Sequence, residues 1–265
     1  MPDNGIYAEP RVVTDLDECF FYHSMDIPGH GFVQGEWDLR NDVDDYLGRV
    51  DFKGKRVLEI GTASGFLCME LEKRGAEVIA FDLSDQQLAD IVPYAKADLE
   101  DHTRRSRVGI ARINNSFWFN HGAHQSKAKV VYGTVYNMPE AIGPVDIVTF
   151  GSILPHLRDP FQALYQGCRF AKDTVIVTDV ISRRYLPIFW LSRLGIAAKV
   201  FLPDYTKSEA MLSWWILTPE IIRRSIGVLG FEDVTTIYHT APYKGKKARL
   251  FTVVGKRTCG SPLQG

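Results

Sequence analysis

The sequence predicts an α/β fold built on a mostly parallel sheet, with an antiparallel hairpin at its C-terminal end. Three observations carry that prediction. From residue 56 onward, short apolar runs alternate with helical stretches, which is the pattern of βαβ units with helices on the faces of a sheet. The first run ends in a glycine-bearing turn that opens a helix, the layout of a ligand-binding α/β fold. Near the C-terminus two β-rich segments are joined by a short Pro/Gly/Lys loop, too short for a parallel crossover.

Arg56 to Gly61 (RVLEIG) follows the polar turn Lys53-Gly54-Lys55 and reads as a buried parallel strand. Phe66 to Arg74 reads as a helix that Gly75 stops. Glu77 to Leu83 is the second buried strand. Ser84-Asp85 then offers an N-cap for a helix over Gln86 to Val92, which Pro93 ends. Val130 to Tyr132, Asp146 to Gly151 and Thr174 to Val180 are further strands, with a helix over Pro160 to Phe170 between the last two. Thr218-Pro219-Glu220 has the cap, N1 proline and acidic first turn of a helix start. Ile221, Ile222, Ser225, Ile226 and Leu229 share one face of that helix up to Gly230. Val234 to His239 and Arg249 to Val254 form the hairpin. One domain is expected over residues 53–257, with a lead-in and cap over 1–52 and a loose tail over 258–265. Insertions at 95–129 and 182–217 interrupt it.

With 31 basic and 32 acidic residues among 265, the net charge of −1 excludes a strongly basic coat for nucleic acid, though not a local patch. An apolar share of 45% is that of a globular chain and not of a disordered one. Cys19, Cys68, Cys168 and Cys259 lie far apart without a CxxC pair, as expected of reduced thiols in a cytoplasmic protein. The polar start lacks the layout of a signal peptide. In the most apolar region the longest uncharged run, Tyr185 to Ser192, is far short of the roughly 20 residues a spanning helix needs. No membrane span is expected.

The strongest chemical signal is Glu59-Ile60-Gly61-Thr62-Ala63-Ser64-Gly65, between strand and helix. Glycines there let the backbone approach a ligand, and the helix start offers free N–H groups. The spacing is E-x-G-x-x-x-G, with alanine at position 63. That departs from the G-x-G-x-x-G of nicotinamide enzymes. Asp82 stands 21 residues beyond Gly61, at the end of the next strand, where a carboxylate can hold a ribose diol.

On these residues the chain resembles the class I S-adenosylmethionine-dependent methyltransferases, from about Arg56 to Lys256. The resemblance implies a Rossmann-like seven-stranded sheet with its last strand antiparallel and helices on both faces. S-adenosylmethionine would lie across the carboxyl ends of strands one, two and four. Carried over by position, Glu59, Gly61, Ala63 and Gly65 would line its methionine part, and Asp82 its ribose. Leu83, Val135 and Tyr136 would flank the adenine, and Gly151 and Ser152 would lie beside the sulfonium. The acidic residue that the family often places near the adenine amino group is absent here.

A narrower resemblance lies in Phe21-Tyr22-His23-Ser24-Met25-Asp26 and Gly35-Glu36-Trp37-Asp38-Leu39-Arg40. These are similar to the lead-in of bacterial enzymes that transfer a carboxymethyl group to wobble uridine in tRNA, though the insertion that follows diverges. Tyr22 and Arg40 are cofactor candidates, because an aromatic face stabilises a sulfonium and arginine grips a carboxylate. The competing readings are a core-edge tyrosine and a surface ion pair. After strand four the chain reads Phe150-Gly151-Ser152-Ile153. That lacks the Asn/Asp-Pro-Pro-aromatic motif of base amino-group methyltransferases. It also lacks the aspartate that catechol-type enzymes use for Mg²⁺, so no metal is expected.

Methyl transfer to a hydroxyl benefits from a general base, and histidine is best matched to neutral pH. His156, just after strand four, is the first candidate, against a capping or orienting role. His121 lies in an aromatic- and amide-rich stretch, where helix packing by Phe117 and Trp118 is the competing reading, and His23 is a third candidate. The apolar segments 185–202 and 214–217 read as a lid over an aromatic or lipid-like acceptor, a homodimer face, a membrane-resting helix, or helices packed on the sheet. Basic clusters at Arg104, Arg105, Arg107 and Arg112, and at Lys244, Lys246, Lys247 and Arg249, read as phosphate contacts or solvated faces. The expectation is methyl transfer to a small-molecule hydroxyl. The alternatives are a tRNA wobble-uridine-modifying enzyme and a non-catalytic binding protein of the same fold.

Overall fold

The computed structural model describes residues 5–207 and 211–260. The lead-in contributes an antiparallel ribbon, β1 (Met25–Ile27) and β2 (Gly31–Val33), and the single turn α1 (Val43–Tyr46). There follow β3 (Arg56–Ile60), α2 (Phe66–Lys73), β4 (Glu77–Asp82), α3 (Leu99–Ala123) and β5 (Lys129–Tyr132). Next come β6 (Val145–Gly151), α4 (Pro160–Cys168), β7 (Ala171–Val180) and α5 (Leu186–Arg193). The chain continues with β8 (Lys199–Phe201), β9 (Trp215–Leu217), α6 (Pro219–Val228), β10 (Asp233–Tyr243) and β11 (Lys246–Lys256).

Seven strands form the main sheet in the order β10-β11-β7-β6-β3-β4-β5, and β8 pairs with β9 as a separate ribbon. In the main sheet β11 runs opposite to the other six strands. This is the predicted fold class. The central strands are apolar along their length because both faces are covered. Val57, Ile147 and Ile176 pack under α2, α3 and the lead-in. Leu58, Val148 and Val175 pack under α4 and α6 on the other face. Strand order reverses at β3, where β4 lies on one side and β6 on the other, and such switch points open a crevice at the carboxyl ends of the strands.

The helix predicted over Gln86 to Val92 does not form. Instead, Gln87 Oε1 accepts from the Ser84 N–H at 2.7 Å and from the Ser84 hydroxyl at 2.6 Å, while Ser84 Oγ accepts from the Gln86 N–H at 3.2 Å. These side-chain bonds offer the backbone a turn in place of a first helical turn. Beyond it, Val92 and Tyr94 are buried with Trp214, and the Val92 N–H donates to the Met211 carbonyl. Contacts with a segment more than a hundred residues away thus override the local propensity.

The first insertion folds as α3, capped by Asp98, whose carboxylate accepts from the Asp101 N–H at 2.9 Å. The second supplies α5 and the β8–β9 ribbon. The lead-in is part of the fold: Leu39 and Tyr46 share a core with Val57, and Trp37 stacks on Tyr243 with ring centroids 4.6 Å apart. In the C-terminal tail, the Thr258 N–H donates to the Gly230 carbonyl, and residues 261–265 of the expected loose segment lie outside the described residues. Among the described residues no helix is long and apolar enough to cross a membrane.

Candidate functional site

A cavity of about 660 Å³ opens at the carboxyl ends of β3, β4, β5 and β6, within the size range of small-molecule sites. Gly61 forms part of its floor. Its φ of +83° and its N–H bond to the Phe81 carbonyl at 2.8 Å fix the turn, and a Cβ there would stand 3.1 Å from Ile153 Cδ1. Ala63 and Ser152, both on the wall, hold φ values of 48° and 53°. Non-glycine residues rarely occupy that left-handed region, and such strain concentrates at functional sites.

Asp82 ends β4 at the cavity wall. One carboxylate oxygen accepts from the Ala63 N–H and the other from its own Leu83 N–H, both at 2.7 Å. Burial raises its pKa above the usual carboxylate value, and the two amides work against that rise. Leu83, Leu88, Ile113 and Val135 make an apolar slot beside it. Asn114 closes the slot from α3, donating to the Leu83 carbonyl at 3.1 Å. Tyr136 also lines the cavity, with its hydroxyl given to the Asp90 carboxylate. Asp90 in turn accepts from the Arg158 N–H at 2.7 Å, and its carbonyl accepts from the Trp214 indole at 2.7 Å. Three distant segments are thereby tied at one rim.

A second, smaller chamber of about 160 Å³ adjoins the first and shares Tyr22, Ser152 and His156 with it. Asp179, at the end of β7, lines only the smaller one. The β9 residues Trp215, Ile216 and Leu217 form part of its wall.

Residues 34–220 match the family described as a methyltransferase domain. The chain belongs to that methyltransferase family. Its fold is similar to that of the N-terminal domain of EvdMO1, solved with SAH bound, at 14% identity over 91% of this chain and 92% of that one, with a TM-score of 0.54. A structure from Bacillus halodurans C-125 is similar at 13% identity over 81% of this chain and 98% of that one, with a TM-score of 0.51. No curated protein matches the sequence.

Of the residues expected to bind cofactor in this methyltransferase, Tyr22, Gly61, Ala63, Asp82, Leu83, Val135, Tyr136, Gly151 and Ser152 converge on the large cavity. Glu59, Gly65 and Arg40 do not line it. Glu59 is 2% exposed, on the same strand face as Val57 and beneath the turn. One of its oxygens accepts from the Thr62 hydroxyl at 2.8 Å, the other has no partner, and burial pushes its pKa up to about 8. It props the loop and does not wall the cavity. Gly65 begins α2 with a φ of +84°, and a Cβ there would stand 2.9 Å from the Phe117 ring. Gly65→Ala is therefore expected to destabilise the fold by about 1–3 kcal/mol. Chemical denaturation measures this, and unchanged stability would mean that α3 does not press on this turn.

Arg40 binds Asp38 through two 2.9 Å contacts and Asp26 through a third, with its guanidinium over the Phe32 ring. This is the ion-pair arrangement. Among the three candidate bases only His156 reaches either cavity. Its Nδ1–H donates to the Leu212 carbonyl at 2.6 Å, which leaves the lone pair on Nε2. Desolvation by the surrounding protein lowers its pKa, against the hydrogen bond to Leu212. His121 sits on α3 between Phe117 and Trp118 and bonds the Ala128 carbonyl at 3.1 Å. His23 is buried against Tyr22 and Phe66, and burial lowers its pKa to about 4. Sequence reasoning missed Asp90, Asn114 and Asp179. Only the last carried a signal, an acidic residue closing an apolar strand as Asp82 does.

Proposed function

We propose that this methyltransferase transfers the methyl group of S-adenosylmethionine to a hydroxyl oxygen of a small-molecule acceptor. The observation that carries this reading is the pair of adjoining cavities with Tyr22, Ser152 and His156 at their junction. The residues of the larger one fit the donor. Asp82 offers a carboxylate to two ribose hydroxyls, the slot beside Leu83 and Val135 suits a planar base, and Gly61 leaves room where a side chain would intrude. Tyr22 presents an aromatic ring at the junction, which favours a cationic sulfur.

When bound, S-adenosylmethionine supplies a methyl carbon on a cationic sulfur, which an oxygen lone pair attacks as the carbon–sulfur bond breaks. The chain's own work is to align the acceptor and to take its proton. His156 Nε2 is the group assigned to receive that proton, because its other nitrogen is held by Leu212. His156→Ala is expected to lower turnover about 10²-fold with unchanged S-adenosylhomocysteine affinity. Near-normal turnover would leave His156 an orienting role only.

Calorimetry tests the donor directly. S-adenosylmethionine and S-adenosylhomocysteine should bind and NAD should not, and no binding of S-adenosylmethionine overturns the proposal. The tRNA reading finds less support. Arg104 and Arg105 are engaged by Asp101, and Arg112 donates to the Cys19 carbonyl, so much of the first basic cluster is spent within the fold. Retention on immobilised tRNA at low salt would reverse that ranking.

A further inference from the structure

Building on the methyl-transfer reading, we infer that the 160 Å³ chamber takes one six-membered ring and that Asp179 anchors a second hydrogen-bond donor, hydroxyl or amino, on that ring. Size sets the first part. An empty protein cavity of about 150 Å³ admits benzene, so a chamber of about 160 Å³ accepts one ring and has no room for a fused pair or a nucleoside. Its walls set the second part. Trp37 and Trp215 are aromatic, and Leu202, Ile216 and Leu217 are aliphatic. Among the described residues the lining contains no lysine or arginine. An acceptor bearing a carboxylate or phosphate would be buried beside Asp179 with no counter-charge, at a cost of several kcal/mol.

Asp179 itself points to the ligand. It is 3% exposed; one oxygen accepts from the Val180 N–H at 2.6 Å, and Oδ2 has no partner. Buried carboxylate oxygens are almost always satisfied, and leaving one bare is destabilising. A donor group carried by the ligand would satisfy it. Burial pushes the Asp179 pKa up to about 7, so near neutrality the carboxylate can accept from a hydroxyl or pair with an ammonium. Position then separates two substituents. Tyr22, Ser152 and His156 face both cavities, whereas Asp179 faces the chamber alone. The reacting hydroxyl belongs at the junction, and the second donor belongs on the Asp179 side of the ring.

The test uses the full chain saturated with S-adenosylhomocysteine and four probes: catechol, phenol, benzoate and 1-naphthol. Wild type should bind catechol about tenfold or more tightly than phenol, the difference expected for one hydrogen bond to a charged group, and should bind neither benzoate nor 1-naphthol. In Asp179→Ala the catechol advantage should vanish while phenol and S-adenosylhomocysteine affinities stay at wild-type values. Equal binding of catechol and phenol by wild type overturns the inference without recourse to any variant. So does binding of 1-naphthol as tight as that of phenol, or a loss in Asp179→Ala shared equally by the two phenols. Failure of S-adenosylhomocysteine to bind wild type would instead overturn the donor assignment on which the chamber reading rests. Binding of S-adenosylhomocysteine with no binding of any ring probe would leave the donor assignment standing and overturn the chamber.

Discussion

Asp82→Ala is expected to bind S-adenosylmethionine and S-adenosylhomocysteine about 10²- to 10³-fold more weakly than wild type. The size follows from two separate losses. The carboxylate offers charged acceptors to a diol in a site largely removed from water, where each such bond contributes about 1.5–3 kcal/mol. The same two oxygens also hold the Ala63 and Leu83 amides, so the loop that floors the cavity loses its fastening. Unfolding should therefore become easier by about 1–3 kcal/mol, since two N–H groups are left without partners. Calorimetry with S-adenosylhomocysteine reads the first effect and chemical denaturation the second. Unchanged affinity in a folded variant would place the ribose elsewhere.

The second large effect is a pH dependence. The Glu59 pKa stands at about 8 in the fold against an ordinary 4.5. Between those values the folded protein keeps a proton that the unfolded chain gives up, so the stabilising contribution is complete below the lower one and is lost as pH rises through the upper one. Stability of the ligand-free protein should fall from pH 5 to pH 8, with Glu59 contributing on the order of 3–4 kcal/mol of the fall. Asp82 and Asp179, whose pKa values are also raised by burial, act in the same direction. In Glu59→Gln the slope should flatten, so the variant gains on wild type as the solution becomes more alkaline. Denaturation at four pH values between 5 and 8 makes the comparison. Parallel curves for the two proteins would mean that Glu59 carries no extra proton.

The strands and the Gly61–Asp82 pair were legible in the sequence because the relevant information is local. A buried parallel strand is a continuous apolar run between turn residues, and the glycine and the aspartate belong to a single βαβ unit. What escaped depends on pairings between distant segments. Asp90 becomes meaningful only through Tyr136, Arg158 and Trp214, and no periodicity around it reports those contacts. The extended course of residues 86–94 has the same origin, because its partners lie at Met211 and Trp214. Glu59 is a different case. Strand alternation assigns it to the Val57 face, toward α2, so its place under the turn follows from parity even though its motif position suggests the cavity.

The 25-residue helix α3 is two structures joined end to end. Its buried residues are confined to Asn114 and the run Ser116 to Asn120, and the turns before them are half-buried or exposed, with Ile110 and Ile113 at the cavity and Arg112 against the lead-in. Amide hydrogen exchange should divide it accordingly. The first turns should exchange by local opening and the last only when the sheet itself opens. Since the cavity wall sits at the boundary, donor binding should move that boundary toward the N-terminus, slowing exchange around Ile110 while leaving the last turns unchanged. The helix would then act as an occupancy gauge, read in deuterium uptake about one turn before the first buried side chain of its own anchored end.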